Sequence, residues 1–325
     1  MKILITGGAG YIGGTVAQIL VNNGHSVLVY DSLVHSRSSM IPSGVTFIEG
    51  EVADGKRLEQ VLEDLSIDGL MHFAALIEAG ESMQKPELYF QNNTCATLKL
   101  LEVLTRKRGC RLVFSSTAAV YGEPERIPIV EEAALKPTNP YGESKLLVEQ
   151  MLSWMNRIHG LRYATLRYFN VAGAIPGRGE AHEPESHLIP LILDVALGRR
   201  SSIKIYGQDY PTPDGTCIRD YIHVEDLAEA HLLAFNALEK HDRLIYNLGN
   251  GKGFSVREVV EAARRVTGHA IPVEELPRRP GDPAVLVASS EKISRELGWK
   301  PRYSQLDAIV ASAWEWHQVR YQKRS

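Results

Sequence analysis

The chain has 325 residues, 44% of them hydrophobic and 23% charged, with a formal net charge of −3. That length suits two domains, or one large α/β domain with an added lobe, and the near-neutral charge removes any electrostatic case for nucleic acid or an anionic membrane as partner. No stretch approaches the roughly 18–20 consecutive apolar residues of a spanning helix. Cys95, Cys110 and Cys217 are scattered and fit neither a zinc spacing nor a disulfide framework, so a reducing cytoplasm is the expected setting. The opening MKILITGG runs straight into a strand pattern, so no signal peptide is expected.

KILIT (Lys2 to Thr6) is a short run rich in branched residues, the pattern of a buried parallel strand. A helical pattern follows from Tyr11 to about Asn23, with Gly24 placed to end it. SVLVYD, VTFIEG, GLMHFA and RLVFSS repeat the strand theme, with helices between them that include LYFQNNTCATLKLLEVLTRK. A helix from Tyr141 to about His159 leads to a sixth strand, LRYATLRYF. This alternation predicts a parallel sheet with helices on both faces. Beyond it, GAIPGRGEAHEPES (Gly173 to Ser186) reads as a loop. A helix over about Leu188 to Leu197, a strand Ile203 to Tyr206, a strand and helix over IRDYIHVEDLAEAHLLAFNAL, and a strand in LIYNLGNG follow, and the last part, Ser255 to Gly268 and Gln305 to Val319, is helical.

Two motifs carry chemistry. In TGGAGYIG, Gly7, Gly10 and Gly13 stand between a strand and a helix, where glycines let backbone approach a pyrophosphate and free N–H groups meet it. Asp31 ends the second strand, where a carboxylate binds a ribose 2′-hydroxyl and repels a 2′-phosphate; NAD is therefore favoured over NADP. In NPYGESK, Tyr141 and Lys145 are four apart and share one helix face. A phenol with an ordinary value near 10 is a poor base at neutral pH. A nearby ammonium and a cationic nicotinamide both favour the phenolate, which can then take a proton as hydride leaves an alcohol carbon. Thr117, with Ser116 also near, is the hydroxyl expected to hold the alcohol oxygen.

TGGAGYIG, HFAAL with GES, Asn92-Asn93, SSTAAVYG, NPYGESK, LRYFNVAGA, YGQDYPTPDGTCIRDYIHV, YNLGNG and RRPGDPAVLVA occur in that order along almost the whole chain. Together they resemble the extended short-chain dehydrogenase/reductase family, and within it most closely the UDP-glucose 4-epimerases. The resemblance implies an α/β Rossmann-type doubly wound parallel sheet with a smaller mixed α/β lobe. It puts an NAD-binding domain in residues 1–169, with returning elements near 219–249, and a UDP-sugar-binding lobe in 170–325. It implies NAD-dependent epimerisation at C4 of a UDP-hexose through a transient 4-keto sugar, and a homodimer built through a four-helix bundle.

Carried over residue by residue, the resemblance makes Thr117, Tyr141 and Lys145 catalytic. Gly7, Gly10, Tyr11, Ile12 and Gly13 would hold the pyrophosphate side of NAD, and Asp31, Ser32, Glu51 and Val52 its adenosine side. Phe73, Ala74, Ala75, Asn92, Ser115 and Tyr168 would line the rest of the cofactor site. Asn170, His187, Leu188, Tyr206, Arg219, Arg279 and Asp282 would hold the UDP group, with Leu286 against the sugar. Either Glu51 or Asp54 serves at the adenine, and Ile77 replaces a lysine of many relatives. The smaller Leu286, where some relatives have Tyr, leaves room for an N-acetylated sugar. Ala118 and Ala119 stand where the related dehydratases carry acids, which argues against elimination, and the intact Thr117, Tyr141 and Lys145 set argues against a non-catalytic NAD sensor. HEPESH (His182 to His187) does not put its histidines on one helical face, and no metal is expected.

Overall fold

The computed structural model describes residues 1–107, 109–279 and 282–322. Seven strands form one wholly parallel sheet, in the order Arg243–Leu248, Arg162–Tyr168, Arg111–Thr117, Gly69–His72, Lys2–Thr6, Ser26–Asp31, Thr46–Glu49. Each strand is apolar on both faces because helices cover both. In the first strand Ile3 and Ile5 face one core, with the helices Tyr11–Asn22 and Val224–Ala237 packed over it. Leu4 points the other way, into a core with Leu58 and Leu62, Leu100 and Leu104, and Val148 and Leu152 from three further helices. The alternation of side chains along a strand thus divides one sequence run between two layers.

The order reverses beside the first strand: the chain runs outward through the second and third strands, then returns to add the fourth on the other side. Loops leaving the carboxyl ends part at that point and leave a crevice, the usual ligand position in such sheets.

The remaining elements build the smaller lobe. The strand Ile218–His223 pairs in parallel with Asn170–Ala172 and Val285–Leu286 and antiparallel with Gly253–Ser255. A second pair, Ile203–Tyr206 with Val273–Leu276, lies beside the helices Leu188–Ala196, Val256–Thr267 and Leu306–Gln322, whose Ile192, Val259 and Ile309 share one core. Within the returning segment 219–249, the strand Ile218–His223 therefore belongs to the lobe sheet. Only Arg243–Leu248 enters the large sheet, and Val224–Ala237 covers its face. The stretch expected as a plain loop, Gly173 to Ser186, contains a short antiparallel hairpin, Ala174–Ile175 with Arg178–Gly179. Pro280 and Gly281 of RRPGDP lie outside the described residues.

Behind the sheet's carboxyl edge is a buried ion pair. Glu149, on the helix Pro140–His159, takes bonds of 2.5–3.2 Å from the Arg167 guanidinium of the sixth strand and one of 2.5 Å from the Ser116 hydroxyl of the fifth. Arg167 also donates to the Tyr121 hydroxyl at 2.9 Å, which donates to Asn247 Oδ1 at 2.7 Å. Both members of the pair are less than 10% exposed. Removing one partner leaves a charge without compensation, so Glu149→Leu is expected to cost about 3–5 kcal/mol in urea unfolding, whereas Lys99→Leu, in an exposed pair with Glu102, costs about 1 kcal/mol or less.

Candidate active site

A single cleft of about 1160 Å³ runs along the carboxyl edge of the large sheet and on between the sheet and the lobe. That exceeds what one small ligand fills. Gly7, Gly10, Tyr11, Ile12 and Gly13 line its floor. Gly7 has φ +72°, and a Cβ there would meet the Ala74 nitrogen at 2.6 Å; one at Gly13 would meet the Gly7 carbonyl oxygen at 2.4 Å. A side chain at either position would strike the chain's own backbone, so glycine is what lets this turn close tightly enough to bring backbone N–H groups to a pyrophosphate. Beneath the turn, Arg178 of the lobe hairpin donates to the Gly10 carbonyl at 3.3 Å and to the Met40 carbonyl.

Asp31 secures the same turn from the second strand. Its carboxylate accepts from the Ala9 nitrogen at 3.0 Å, the Leu33 nitrogen at 2.9 Å and the Ser36 hydroxyl at 3.0 Å. Ser32, Glu51 and Val52 line the cleft beside it. Of the two acids, Glu51 lines the cleft, whereas Asp54 lies outside the lining and caps the helix Gly55–Asp64, accepting from the Arg57 nitrogen at 3.0 Å.

Further along come Phe73, Ala74, Ala75, Asn92, Ser115 and Tyr168. Asn92 sits in a π-helical turn, Phe90–Cys95, and donates to Asn93 Oδ1 at 3.0 Å. Asn93, unremarked in the sequence beyond the pair itself, is the anchor. It exchanges bonds with the Leu76 backbone at 2.8 and 2.9 Å and donates to the Ser144 hydroxyl at 3.1 Å, fixing the fourth-strand loop to the Tyr141 helix.

Asn139 starts that helix by accepting from the Gly142 nitrogen at 2.8 Å, and Pro140 follows at its first position. Tyr141 keeps part of its ring open to the cleft. Burial pushes its phenol above the ordinary value; a hydrogen bond with the Thr117 hydroxyl lowers it and the Glu78 carboxylate raises it. The sequence expectation of a phenol lowered by the lysine is therefore not met in the cofactor-free site. Lys145 is itself buried and pulled down to about 7 by desolvation, against the opposing pull of Glu149. Its ammonium donates to the Ser115 carbonyl at 3.0 Å. Ser115 and Thr117 face the cleft, and the Ser115 hydroxyl meets the Tyr168 hydroxyl. Ser116, one step along the strand, points the other way to Glu149, so it is excluded as the hydroxyl for a substrate oxygen.

Asn170, His187, Leu188, Tyr206, Arg219, Arg279 and Asp282 line the lobe half. Arg219 pairs with Asp282, and the Arg279 guanidinium stacks 3.8 Å above the Tyr206 ring. Leu286 is different. It does not line the cleft but packs on an apolar cluster with Ala118, Val120 and Phe169. Ala118 and Ala119 are also off the lining: Ala118 is in that cluster and the Ala119 carbonyl abuts Gly142.

Sequence reasoning missed an acidic group on the facing wall. The Ser186 hydroxyl donates its one hydrogen to the Glu78 carboxylate, lying 2.9 and 2.8 Å from its two oxygens, across the cleft mouth. Glu180, His182 and His187 converge there, although no helix carries them. His187 is raised to about 9: burial lowers it, but the Glu185 hydrogen bond and the Glu180 and Glu185 charges outweigh that.

The profile of the NAD dependent epimerase/dehydratase family matches residues 3–249. A UDP-glucose 4-epimerase of Streptomyces lividans is 55% identical over 97% of this chain and 96% of its own length. A crystal structure of a UDP-glucose 4-epimerase superposes with TM-score 0.96 at 51% identity, covering 99% of this chain and 98% of that one. A UDP-glucose 4-epimerase from Brucella ovis, solved in complex with NAD, gives TM-score 0.94 at 44% identity over 97% of both chains.

The depressed Lys145 has a thermodynamic signature. Its folded value near 7 lies below the unfolded value of about 10.4, so the unfolded chain binds more protons in that interval and stability rises with pH across it. In nucleotide-free protein, the melting temperature of wild type relative to Lys145→Met should climb between about pH 7 and pH 10; a flat difference would show an unperturbed amine.

Proposed function

As the chain belongs to the NAD dependent epimerase/dehydratase family, we propose that it interconverts UDP-glucose and UDP-galactose, the step of galactose metabolism that inverts C4 of the hexose. The observation that carries this reading is the Tyr141 phenol bonded to Thr117, with the Lys145 amine buried behind it, at the junction of the cleft's two halves. NAD held along the sheet edge would supply a reversible hydride acceptor for C4. In this reading residues 1–169 with the strand Arg243–Leu248 hold NAD, and the lobe holds the UDP-sugar.

Thr117 positions O4 and Tyr141 takes its proton. Burial raises the phenol, so on its own it is a poor base at neutral pH. A cationic ring beside it and a charged Lys145 both favour the phenolate, which confines the strong base to the loaded enzyme. After the 4-keto sugar presents its other face, the same phenol returns the proton to O4. The lobe must hold UDP while the sugar turns. Arg219 and Arg279, both on the lining, are suited to the diphosphate by their planar donor forks, and the Tyr206 ring braces Arg279.

No helix among the described residues is long and apolar enough to cross a membrane. Three cysteines without disulfides are in keeping with a reducing cytoplasm. The homodimer has a candidate face. Trp154 and Ile158, 57% and 67% exposed, lie on the outer side of the helix Pro140–His159, and Leu88 is exposed on the adjoining helix Pro86–Tyr89.

Acid denaturation of the purified protein should release NAD, and the native protein should convert UDP-galactose to UDP-glucose; nucleotide-free, inactive protein would overturn the assignment. Tyr141→Phe should retain NAD and sugar-nucleotide binding but lose about 10² or more in kcat, as for a general acid–base group. In sedimentation velocity, the double variant Trp154→Glu, Ile158→Glu should convert a dimer to a monomer, and an unchanged sedimentation coefficient would place the interface elsewhere.

A further inference from the structure

Among the described residues, one group gathers three metal-competent side chains: Glu180, His182 and His187, whose ligand atoms all lie within 4.8 Å of one another. Glu180 Oε1 is 2.8 Å from His182 Nδ1, and Glu180 Oε2 is 3.9 Å from His187 Nδ1. In a tetrahedral zinc site with bonds of about 2.0–2.1 Å, neighbouring ligand atoms stand about 3.3 Å apart, and these separations bracket that value. Both histidines turn Nδ1 towards the carboxylates.

Glu78, Glu180 and Glu185 share this wall, and apart from the two histidines themselves no cationic side chain among the described residues pairs with these carboxylates. Arg320, the nearest guanidinium to the group, donates to the backbone carbonyls of Glu180 and Ala181 and pairs with Glu183 instead. Glu185 makes the deficit explicit. Its Oε1 is 2.8 Å from His187 Nδ1, while its Oε2 is buried without any hydrogen-bond partner on a side chain only 11% exposed. A carboxylate oxygen in that position is costly unless something cationic compensates it.

We propose that Glu180, His182 and His187 form a binding site for a divalent transition cation of the zinc type, with Glu185, whose Oε1 faces the same His187 Nδ1, completing the coordination. Two imidazoles and a carboxylate are a ligand set zinc takes readily, and hard ions such as magnesium do not. All three side chains line the cleft, so a fourth position is open to solvent or to a bound ligand. The site shares His187 with the residues expected at the UDP group, while no hydrogen bond or ion pair among the described residues joins its side chains to Tyr141, Thr117 or Lys145.

The test uses the full-length protein after chelator treatment, titrated calorimetrically with Zn²⁺ alone, and separately with Co²⁺ for its visible spectrum. One Zn²⁺ per chain is expected, with four-coordinate ligand-field bands for Co²⁺. Affinity should fall by about 10-fold or more in Glu185→Gln, and by more in His182→Gln. Absence of stoichiometric Zn²⁺ binding, or equal affinity in His182→Gln, overturns the proposal. If His182→Gln does not fold, the wild-type Co²⁺ spectrum decides, and bands of a six-coordinate hydrated ion count against the site.

Discussion

The carboxylate of Glu149 is the contact on which the active-site geometry depends. It is one helical turn from Lys145 on the same helix, and it is the charge that opposes the loss of the Lys145 proton. At the same time it holds the backs of the fifth and sixth strands through Ser116 and Arg167. Helix face, strand ends and lysine charge are therefore set by one buried group. Desolvating such a carboxylate is expensive, and only the full set of bonds from Arg167 and Ser116 makes it tolerable. The chain places that cost directly behind the residues that need to be rigid.

The cleft shows a second economy of arrangement. The residues expected at the cofactor come from the ends of successive parallel strands, so the sheet's register aligns them: Thr6, His72 and Phe114 are matched across the first, fourth and fifth strands. The lobe residues come from loops and short strands whose positions depend on one another. Arg219 pairs with Asp282 and Arg279 stacks on Tyr206, and both contacts link segments about 60 residues or more apart. A rigid half for the dinucleotide and a half assembled from adjustable contacts suit a reaction in which one ligand stays still while part of the other turns.

What was legible in the sequence follows the same division. Buried parallel strands announce themselves as branched apolar runs, and the Tyr141 helix has its cap, proline and face written in NPYGESK. The glycine turn and Asp31 could be read because their spacing is local. What escaped is set by distant contacts. Ser116 and Thr117 are adjacent hydroxyls, and only the strand's orientation decides that one faces the cleft and the other Glu149. Leu286 packs on Ala118, Val120 and Phe169, which are far from it in the chain. The histidines of HEPESH were judged against a helix, but they converge from an irregular segment anchored by the Ala174–Arg178 hairpin, itself too short to show a period.

That hairpin decides whether the chain can be divided. Arg178 reaches from the lobe to the carbonyl of Gly10, and the first helix lies so close to it that a Cβ on Gly14 would collide with the guanidinium. The edge strand Arg243–Leu248 and the covering helix Val224–Ala237 also come from beyond residue 169. A fragment ending at 169 would expose the edge of its sixth strand, lose one of the two helices over one sheet face and lose the prop beneath its glycine turn. The two halves are thus separable as ligand sites but not as folding units. The natural place to cut or graft is an exposed turn such as the one at Gly268, where a positive-φ glycine stands in open space.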